Sequence, residues 1–413
     1  MPPISACRIC GNKHLVPVLS LGEQALTGVF PRSREDQITR GPLELVKCHG
    51  ESACSLLQLA HSYDSDEMYG ANYGYRSGLN QSMVAHLRNK VENLLRMVPV
   101  GVGDVVLDIG SNDGTLLSCY PEGPTLVGMD PTAAKFRSFY QDRIKVIPDF
   151  FSSDTFQSEL GGQKAKVVTS IAMLYDLENP ISFVEQIASI LAEDGIWHFE
   201  QSYMPSMLEV NAYDTICHEH VEYYGLKQIQ WMLDRCGLKI LDVATNDING
   251  GSFAVTAALA SSALHPNSTN LQRILDAESA AALDALSPYE AFAKRVAVHR
   301  NDLLATLEEI TASGATILGY GASTKGNVIL QYCGLTAAEI PAIAEVNPDK
   351  FGSFTPGTQI PIISETEAHA RKPDYFLVMP WHFRENLLAR EKPFLDRGGK
   401  MLFPLPRIEI VSK

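Results

Sequence analysis

Ten consecutive residues, Val105-Val106-Leu107-Asp108-Ile109-Gly110-Ser111-Asn112-Asp113-Gly114, restrict the fold more than any other part of the chain. An apolar run of strand length meets an acidic residue and then a loop with two glycines, which lets the backbone turn tightly and approach a ligand closely. In open α/β sheets, ligands bind at the carboxyl ends of buried strands. The neighbouring texture agrees with such a sheet. Strands are expected at 104–109, 125–129, 166–171 and 195–200, with helical stretches between them, notably 180–192. This alternation predicts a parallel sheet with crossover helices. Segments 238–244 and 252–258 are expected to complete it as an antiparallel edge.

The loop also narrows the ligand. Asp130 ends the next strand, about twenty residues on, where a carboxylate can accept both hydroxyls of a ribose. A dinucleotide enzyme would carry Gly-x-Gly-x-x-Gly and leave room for a pyrophosphate. Here the spacing is Gly110-x3-Gly114, and Asp108 and Asp113 would repel phosphate. The carboxylates suit a ligand with an ammonium and a sulfonium, as in S-adenosylmethionine. Asp108, Gly110, Asn112, Gly114 and Asp130 are therefore the candidate cofactor residues.

Four of the eight cysteines, Cys7, Cys10, Cys48 and Cys54, fall in the first 54 residues. Cys7-x2-Cys10-Gly11 is a knuckle for tetrahedral zinc. The second pair is spaced unusually, which leaves His49 as an alternative to Cys48. A chain this long needs no disulfide framework, and metal binding fits a reducing compartment.

Five segments follow from composition and periodicity: a zinc-binding unit at 1–65, a Tyr-rich loop and linker helix at 66–100, the α/β unit at 101–260, a helical linker at 261–314 and a smaller α/β unit at 315–413. Met83, Leu87, Val91, Leu94 and Val98 recur at helical spacing. In Ser287-Pro288-Tyr289-Glu290, Ser287 is the expected N-cap of a long helix. The last unit is read as strand 315–319, helix 326–333, strands 341–346 and 375–379, helix 383–396 and a final strand from Lys400.

A further cluster is Tyr213-Asp214-Thr215-Ile216-Cys217-His218-Glu219-His220-Val221-Glu222-Tyr223-Tyr224, which follows the strand ending at Glu200. The His-Glu-His spacing is wrong for a zinc helix. An imidazole beside a carboxylate is a candidate general base.

These features in this order resemble the nucleotide-sugar C-methyltransferases, the deoxysugar C-3-methyltransferase group. The matching stretches are Cys7-x2-Cys10-Gly11, Cys54 to Leu59, Leu107 to Gly114, Tyr213 to Tyr224, Asn249-Gly250-Gly251-Ser252 and Gly319 to Asn327, and they span essentially the whole chain. The resemblance implies a class I, Rossmann-like methyltransferase domain between an N-terminal zinc-binding domain and a C-terminal Rossmann-like domain that holds no dinucleotide. It implies S-adenosylmethionine as cofactor, structural zinc, and a nucleotide-linked 4-keto-deoxysugar methylated through an enolate, at C3 or else at C5. It makes His220 the general base, with Glu219 beside it. His218, Tyr73 and Tyr75 are further catalytic candidates. Tyr224, Tyr175, Ser323, Lys325 and Asn327 are substrate-binding candidates, the last three through the diphosphate. Cys217 stands where the family has a tyrosine, and Tyr175 near where it has a histidine.

The formal charge of −14 disfavours nucleic-acid backbones as partners. No segment approaches the roughly 18 apolar residues of a membrane span, and the start lacks the pattern of a signal peptide. A cytoplasmic enzyme without an obligate protein partner is expected. The alternatives are a methyltransferase of a non-sugar molecule, which needs no base, and a zinc scaffold with an inert methyltransferase domain.

Overall fold

The computed structural model describes residues 2–64, 67–68 and 75–413. The N-terminal unit contains β1 (Leu15–Ala25), β2 (Arg40–Cys48) and β3 (Leu57–Leu59). Helix α1 (Gln81–Met97) follows, its first turn capped by the Asn80 side chain. Its apolar stripe, Met83, Leu87, Val91 and Leu94, packs onto Val106, Leu116 and Leu126 of the central unit. The helix expected as a linker is thus part of the central layers.

The central unit runs β4 (Val105–Ile109), β5 (Thr125–Met129), β6 (Ile144–Ile147), α2 (Ser153–Glu159), β7 (Ala165–Ile171), α3 (Pro180–Ile190) and β8 (Leu191–Ser202). It continues through α4 (Met204–Glu209), β9 (Glu222–Tyr223), α5 (Leu226–Arg235), β10 (Leu238–Asn246) and β11 (Ser252–Leu259). Among the described residues the sheet order is β10-β11-β8-β7-β4-β5-β6. The strands β6, β5, β4, β7 and β8 are parallel, as their apolar runs require once helices cover both faces. The two strands expected as an antiparallel edge, β10 and β11, complete the sheet at that end through antiparallel pairs. Only β11 runs against the sheet; it lies inside, between β8 and β10. The chain order therefore reverses at β4 and β7, the place where ligands bind in such sheets.

Helices α6 (Ser268–Ala280) and α7 (Ser287–Ala312) lead to the C-terminal unit. Ser287 is not the cap of α7: Leu286 occupies that position and no side chain caps the helix, so Pro288 alone marks the start. The C-terminal unit holds β12 (Ile317–Tyr320), α8 (Thr324–Cys333), β13 (Ile343–Glu345), β14 (Ile362–Ser364), α9 (Glu365–Ala370) and β15 (Tyr375–Val378). It ends with α10 (Arg384–Arg390), α11 (Lys392–Asp396), β16 (Lys400–Phe403) and β17 (Glu409–Val411). The helix expected over 383–396 is broken at Glu391, where Pro393 follows closely. The order β14-β13-β12-β15-β16-β17 repeats the reversal logic, this time at β12 and β15.

The units share their interiors. Strand β9 belongs to the central sequence but pairs with β3, completing the sheet β1-β2-β3-β9 of the N-terminal unit. One apolar cluster joins Leu43 and Leu57 of that sheet to Tyr213, to Val296 and Leu303 of α7, and to Val328 and Phe376 of the C-terminal unit.

Candidate active site

The carboxyl ends of both parallel sheets open on one cleft of about 1400 Å³. The central sheet supplies the loops after β4, β5, β7 and β8, and the C-terminal sheet supplies those after β12, β13 and β15. The N-terminal unit adds Gly28 and Phe30.

The cofactor end lies at β4 and β5. Gly110 has φ +70 and lies against the Met173 side chain, which a Cβ there would meet at 3.4 Å. Asp108 is buried and accepts a hydrogen bond from Thr169 Oγ1 at 2.6 Å. Burial pushes its carboxyl up to about 7 against that bond, helped by the neighbouring Asp130 charge. Asp130 accepts from the backbone N–H of Asn112 at 2.8 Å and of Thr132 at 2.6 Å. The Thr132 hydroxyl also donates to Asp130 Oδ1 at 2.6 Å, so the Oδ2 side, with one bond, has the room for a ribose hydroxyl. This acidic, backbone-lined pocket fits S-adenosylmethionine, which carries two cationic groups.

Two expected cofactor residues have other work. The Asn112 side chain accepts from Ser77 N and donates to Tyr75 O, tying the segment before α1 over the loop. Gly114 lies away from the cleft; a Cβ there would meet the Tyr140 ring at 2.7 Å, so its small size serves packing.

His220 lines the far side of the cleft with Glu219 and Tyr175. Its Nδ1 faces the Thr215 carbonyl at 2.9 Å and so carries the proton, which leaves Nε2 as the acceptor nitrogen. Burial, reinforced by the Lys325 charge, lowers its pKa to about 3, so the ring is neutral at ordinary pH. The Tyr175 ring stands edge-on to it at 4.3 Å. Burial raises the Glu219 carboxyl, whose Oε2 has no hydrogen-bond partner among the described residues. Gly28 is required opposite: a Cβ there would come within 2.1 Å of Glu219 Oε1.

Tyr75, Ser323 and Lys325 also line the cleft. Tyr73 lies outside the described residues. Three candidates are displaced. His218 is fully buried with Nε2 turned to Gly41 O at 3.4 Å and its ring against Tyr63. Tyr224 is also fully buried and donates to Glu222. Asn327 donates to Thr27 O at 2.7 Å, which joins α8 to the N-terminal unit. His218 and Glu219 lie in a turn and only Glu222–Tyr223 is strand, so the segment follows no single alternation: His218 and Tyr224 pack inside while Glu219 and His220 line the cleft.

Gln201 and His382 escaped the sequence reading. Both line the cleft. Gln201 is 2 % exposed, and neither end of its amide has a partner among the described residues. His382 Nδ1 is likewise unpartnered. Gln201 is the penultimate residue of β8 and His382 follows β15, so both sit at carboxyl ends of parallel strands, a positional signal that could have found them.

The second centre is a cysteine cluster. The Sγ atoms of Cys7, Cys10, Cys48 and Cys54 all lie within 4.8 Å of one another. The closest pairs, Cys7–Cys54 and Cys10–Cys48, are 3.4 and 3.5 Å apart. Thiolates about 2.3 Å from a tetrahedral zinc sit about 3.8 Å from each other. Disulfides are far shorter, so the spacing fits zinc, with Cys48 in the cluster and His49 outside it. Asn12 Nδ2 donates to Cys48 Sγ at 3.3 Å, as an outer partner of a metal thiolate does.

Fold, cofactor pocket, neutral imidazole and cysteine cluster together define an S-adenosylmethionine-dependent methyltransferase with an N-terminal zinc site. The chain is 31% identical to the C-methyltransferase NovU of Streptomyces niveus over 416 residues, covering 99% of this chain and 97% of NovU, and belongs to that C-methyltransferase family. Family models agree in order: a zinc binding domain at residues 7–69, a methyltransferase domain at 83–243 and a C-methyltransferase C-terminal domain at 247–406. Solved structures are more distant. The mitomycin 7-O-methyltransferase MmcR shares 15% identity over 44% of this chain and 55% of its own, with a TM-score of 0.35. CcbJ from Streptomyces caelestis shares 11% over 42% and 89%, with a TM-score of 0.33. Likenesses this loose carry no argument. The activity is C-methylation from S-adenosylmethionine, and the four cysteines hold structural zinc.

Proposed function

We propose that the enzyme methylates a carbon next to the ketone of a nucleotide-linked 4-keto-deoxysugar, at C3 in preference to C5. His220 removes the α-proton, and Glu219 orients the sugar hydroxyls. The observation that carries this reading is the imidazole tautomer. Carbon becomes nucleophilic when a base takes a proton α to a carbonyl, and His220 offers Nε2 to the cleft with Nδ1 bonded to Thr215 O. Transfer to oxygen or nitrogen would have less use for such a base. Bound S-adenosylmethionine supplies the electrophilic methyl, and the C–S bonding pair leaves with sulfur.

The size and charge of the cleft support a substrate larger than a free sugar. A typical small-molecule pocket is about 300–1,000 Å³; this cleft also houses Lys350, Arg390 and the N-terminus of α8, groups suited to a diphosphate. Among the described residues no helix is long and apolar enough to cross a membrane. Thiolate zinc ligation is in keeping with a cytoplasmic setting.

The test is a panel of nucleoside-diphosphate 4-keto-6-deoxyhexoses with S-adenosylmethionine, read by mass and by the NMR position of the new methyl. One sugar should gain a methyl at C3. His220→Asn should lose about 10²–10⁴ in rate while calorimetry shows cofactor binding retained. No gain with any sugar refutes the substrate class; near-normal turnover by His220→Asn assigns the base elsewhere.

A further inference from the structure

Three segments far apart in sequence meet beside His220. A Cβ on Gly28 would touch both Glu219 Oε1, at 2.1 Å, and Thr324 Oγ1, at 3.5 Å. The N-terminal unit, the catalytic loop and the first turn of α8 therefore converge on one point. Lys325, next to Thr324 in that turn, lines the same cleft as Glu219, His220 and Asn249.

The surroundings of Lys325 leave its charge without direct compensation. Its Nζ donates one hydrogen bond, to the Asn249 carbonyl at 2.7 Å. That carbonyl is aimed by the Asn249-Gly250-Gly251 turn, in which all three residues have positive φ. An ammonium has three N–H donors, and among the described residues Lys325 makes no ion pair. The carboxylate that acts on it is Asp214, whose Oδ2 accepts from Trp381 Nε1 at 2.7 Å and whose Oδ1 has no hydrogen-bond partner among the described residues; it forms no ion pair with Lys325. A partly buried cation at the positive end of a helix is unfavourable unless an anion completes the site. Two anionic groups of the substrate could do so, the diphosphate and the oxygen of the enolate. Lys350, bonded to the Ala322 carbonyl, and Arg390, paired with Glu365, also line the cleft and are further cations for the diphosphate. His220 and Lys325 line the same cleft, and Gly28 brings the first turn of α8 against Glu219, the residue before His220. The ketone oxygen lies two bonds from the carbon that His220 deprotonates, so the developing charge falls in the part of the cleft that His220 and Lys325 both line.

We propose that Lys325 is a catalytic residue that hydrogen-bonds the ketone oxygen and holds the negative charge of the enolate. The inference rests on the 4-keto-sugar reading above. In this step the α-carbon–hydrogen bond breaks and the proton goes to His220 Nε2. The bonding pair forms the carbon–carbon double bond, and the carbonyl π pair moves to oxygen, where the Lys325 ammonium meets it. Methyl transfer to the α-carbon restores the ketone, and His220 gives its proton to solvent. Lys325 thereby supplies from the C-terminal unit an oxyanion donor that the catalytic loop, with Cys217 in it, lacks.

The experiment separates enolate formation from binding. The full-length enzyme, its zinc in place, is mixed in deuterated buffer with saturating nucleoside-diphosphate 4-keto-6-deoxyglucose and S-adenosylhomocysteine, and exchange at C3 is followed by NMR. Wild type should exchange. Lys325→Met should lose about 100-fold or more, as when one oxyanion donor is removed, while its affinity for the sugar nucleotide changes by less than about threefold. Lys325→Arg, which keeps a cationic donor, should recover part of the exchange. Cofactor affinity certifies folding, and Lys325→Gln with the same expectation replaces any variant that fails it. Tenfold weaker sugar binding with undiminished exchange at saturation would overturn the inference and make Lys325 a diphosphate ligand, with the 4-keto-sugar reading intact. No exchange by wild type would instead sink the substrate reading, and the role of Lys325 with it.

Discussion

At the cofactor end, the carboxyl of Asp108 is poised to change state when a cation arrives. Its pKa of about 7 reflects burial, opposed by the Thr169 hydroxyl and increased by Asp130; Tyr120 also faces it from the loop after β4. A cationic ligand favours the ionised form. Binding should therefore release a proton below neutrality, and affinity should rise with pH until Asp108 is ionised in the free enzyme. Between pH 6 and pH 8 the S-adenosylmethionine affinity should increase about tenfold, as linkage to one group titrating near 7 requires. Calorimetry in buffers of different ionisation enthalpy measures both affinity and proton release. Asp108→Asn should bind more weakly at pH 8 and lose the pH dependence; a flat wild-type profile would mean that Asp108 does not meet the cation. Asp108 and Asp130 were legible in the sequence because both terminate apolar strands, a local signal. Tyr224 and His218 were misread because only long-range pairing decides which side of residues 218–224 faces the cleft.

Strand β9 shows why that pairing was hidden. It is two residues long, and its partner β3 lies about 165 positions earlier. Leu59 N donates to Val221 O at 2.8 Å, one residue from His220, and Gln228 Nε2 donates to Cys54 O at 2.9 Å, beside a zinc ligand. The zinc centre is thus joined to the catalytic segment by backbone pairing. Removing the metal should disturb the base more than the cofactor loop, which is built on the far strands β4 and β5. After chelation, amide exchange over 217–224 should rise and methylation should fall at least tenfold, with S-adenosylmethionine affinity within about threefold. Elemental analysis, hydrogen exchange and calorimetry on one preparation check this; full activity without zinc would show that β3 and β9 hold register unaided. The strands at 105–109 and 125–129 were readable, since parallel sheets buried on both faces give continuous apolar runs. Strand β6 was not, because it is four residues long and its burial alternates with exposed Lys145.

Across the whole molecule, the C-terminal unit depends on the N-terminal one although their contacting residues, such as Ala25 and Gln331, are 306 positions apart in the sequence. Val328, Ile329 and Leu330 are consecutive in α8 and each fully buried, so this helix is covered on all sides. Its own sheet can cover only one side. On the other, Gln331 exchanges hydrogen bonds with both backbone groups of Ala25, at 2.7 and 3.1 Å, and Asn327 reaches Thr27 O. The α7 side chains Phe292, Val296 and Leu303 belong to the same cluster. A fragment of residues 314–413 would expose these faces. Burying a large apolar side chain contributes roughly 1.5–3 kcal/mol, against a total domain stability of only about 5–15 kcal/mol, so losing several such contacts leaves little. The fragment, expressed alone, should show no cooperative thermal transition and should bind a hydrophobic dye, whereas the full chain should melt with its N- and C-terminal units together. A fragment with a sharp transition and near-ultraviolet dichroism would show that the second sheet folds independently and that the cleft joins two autonomous domains.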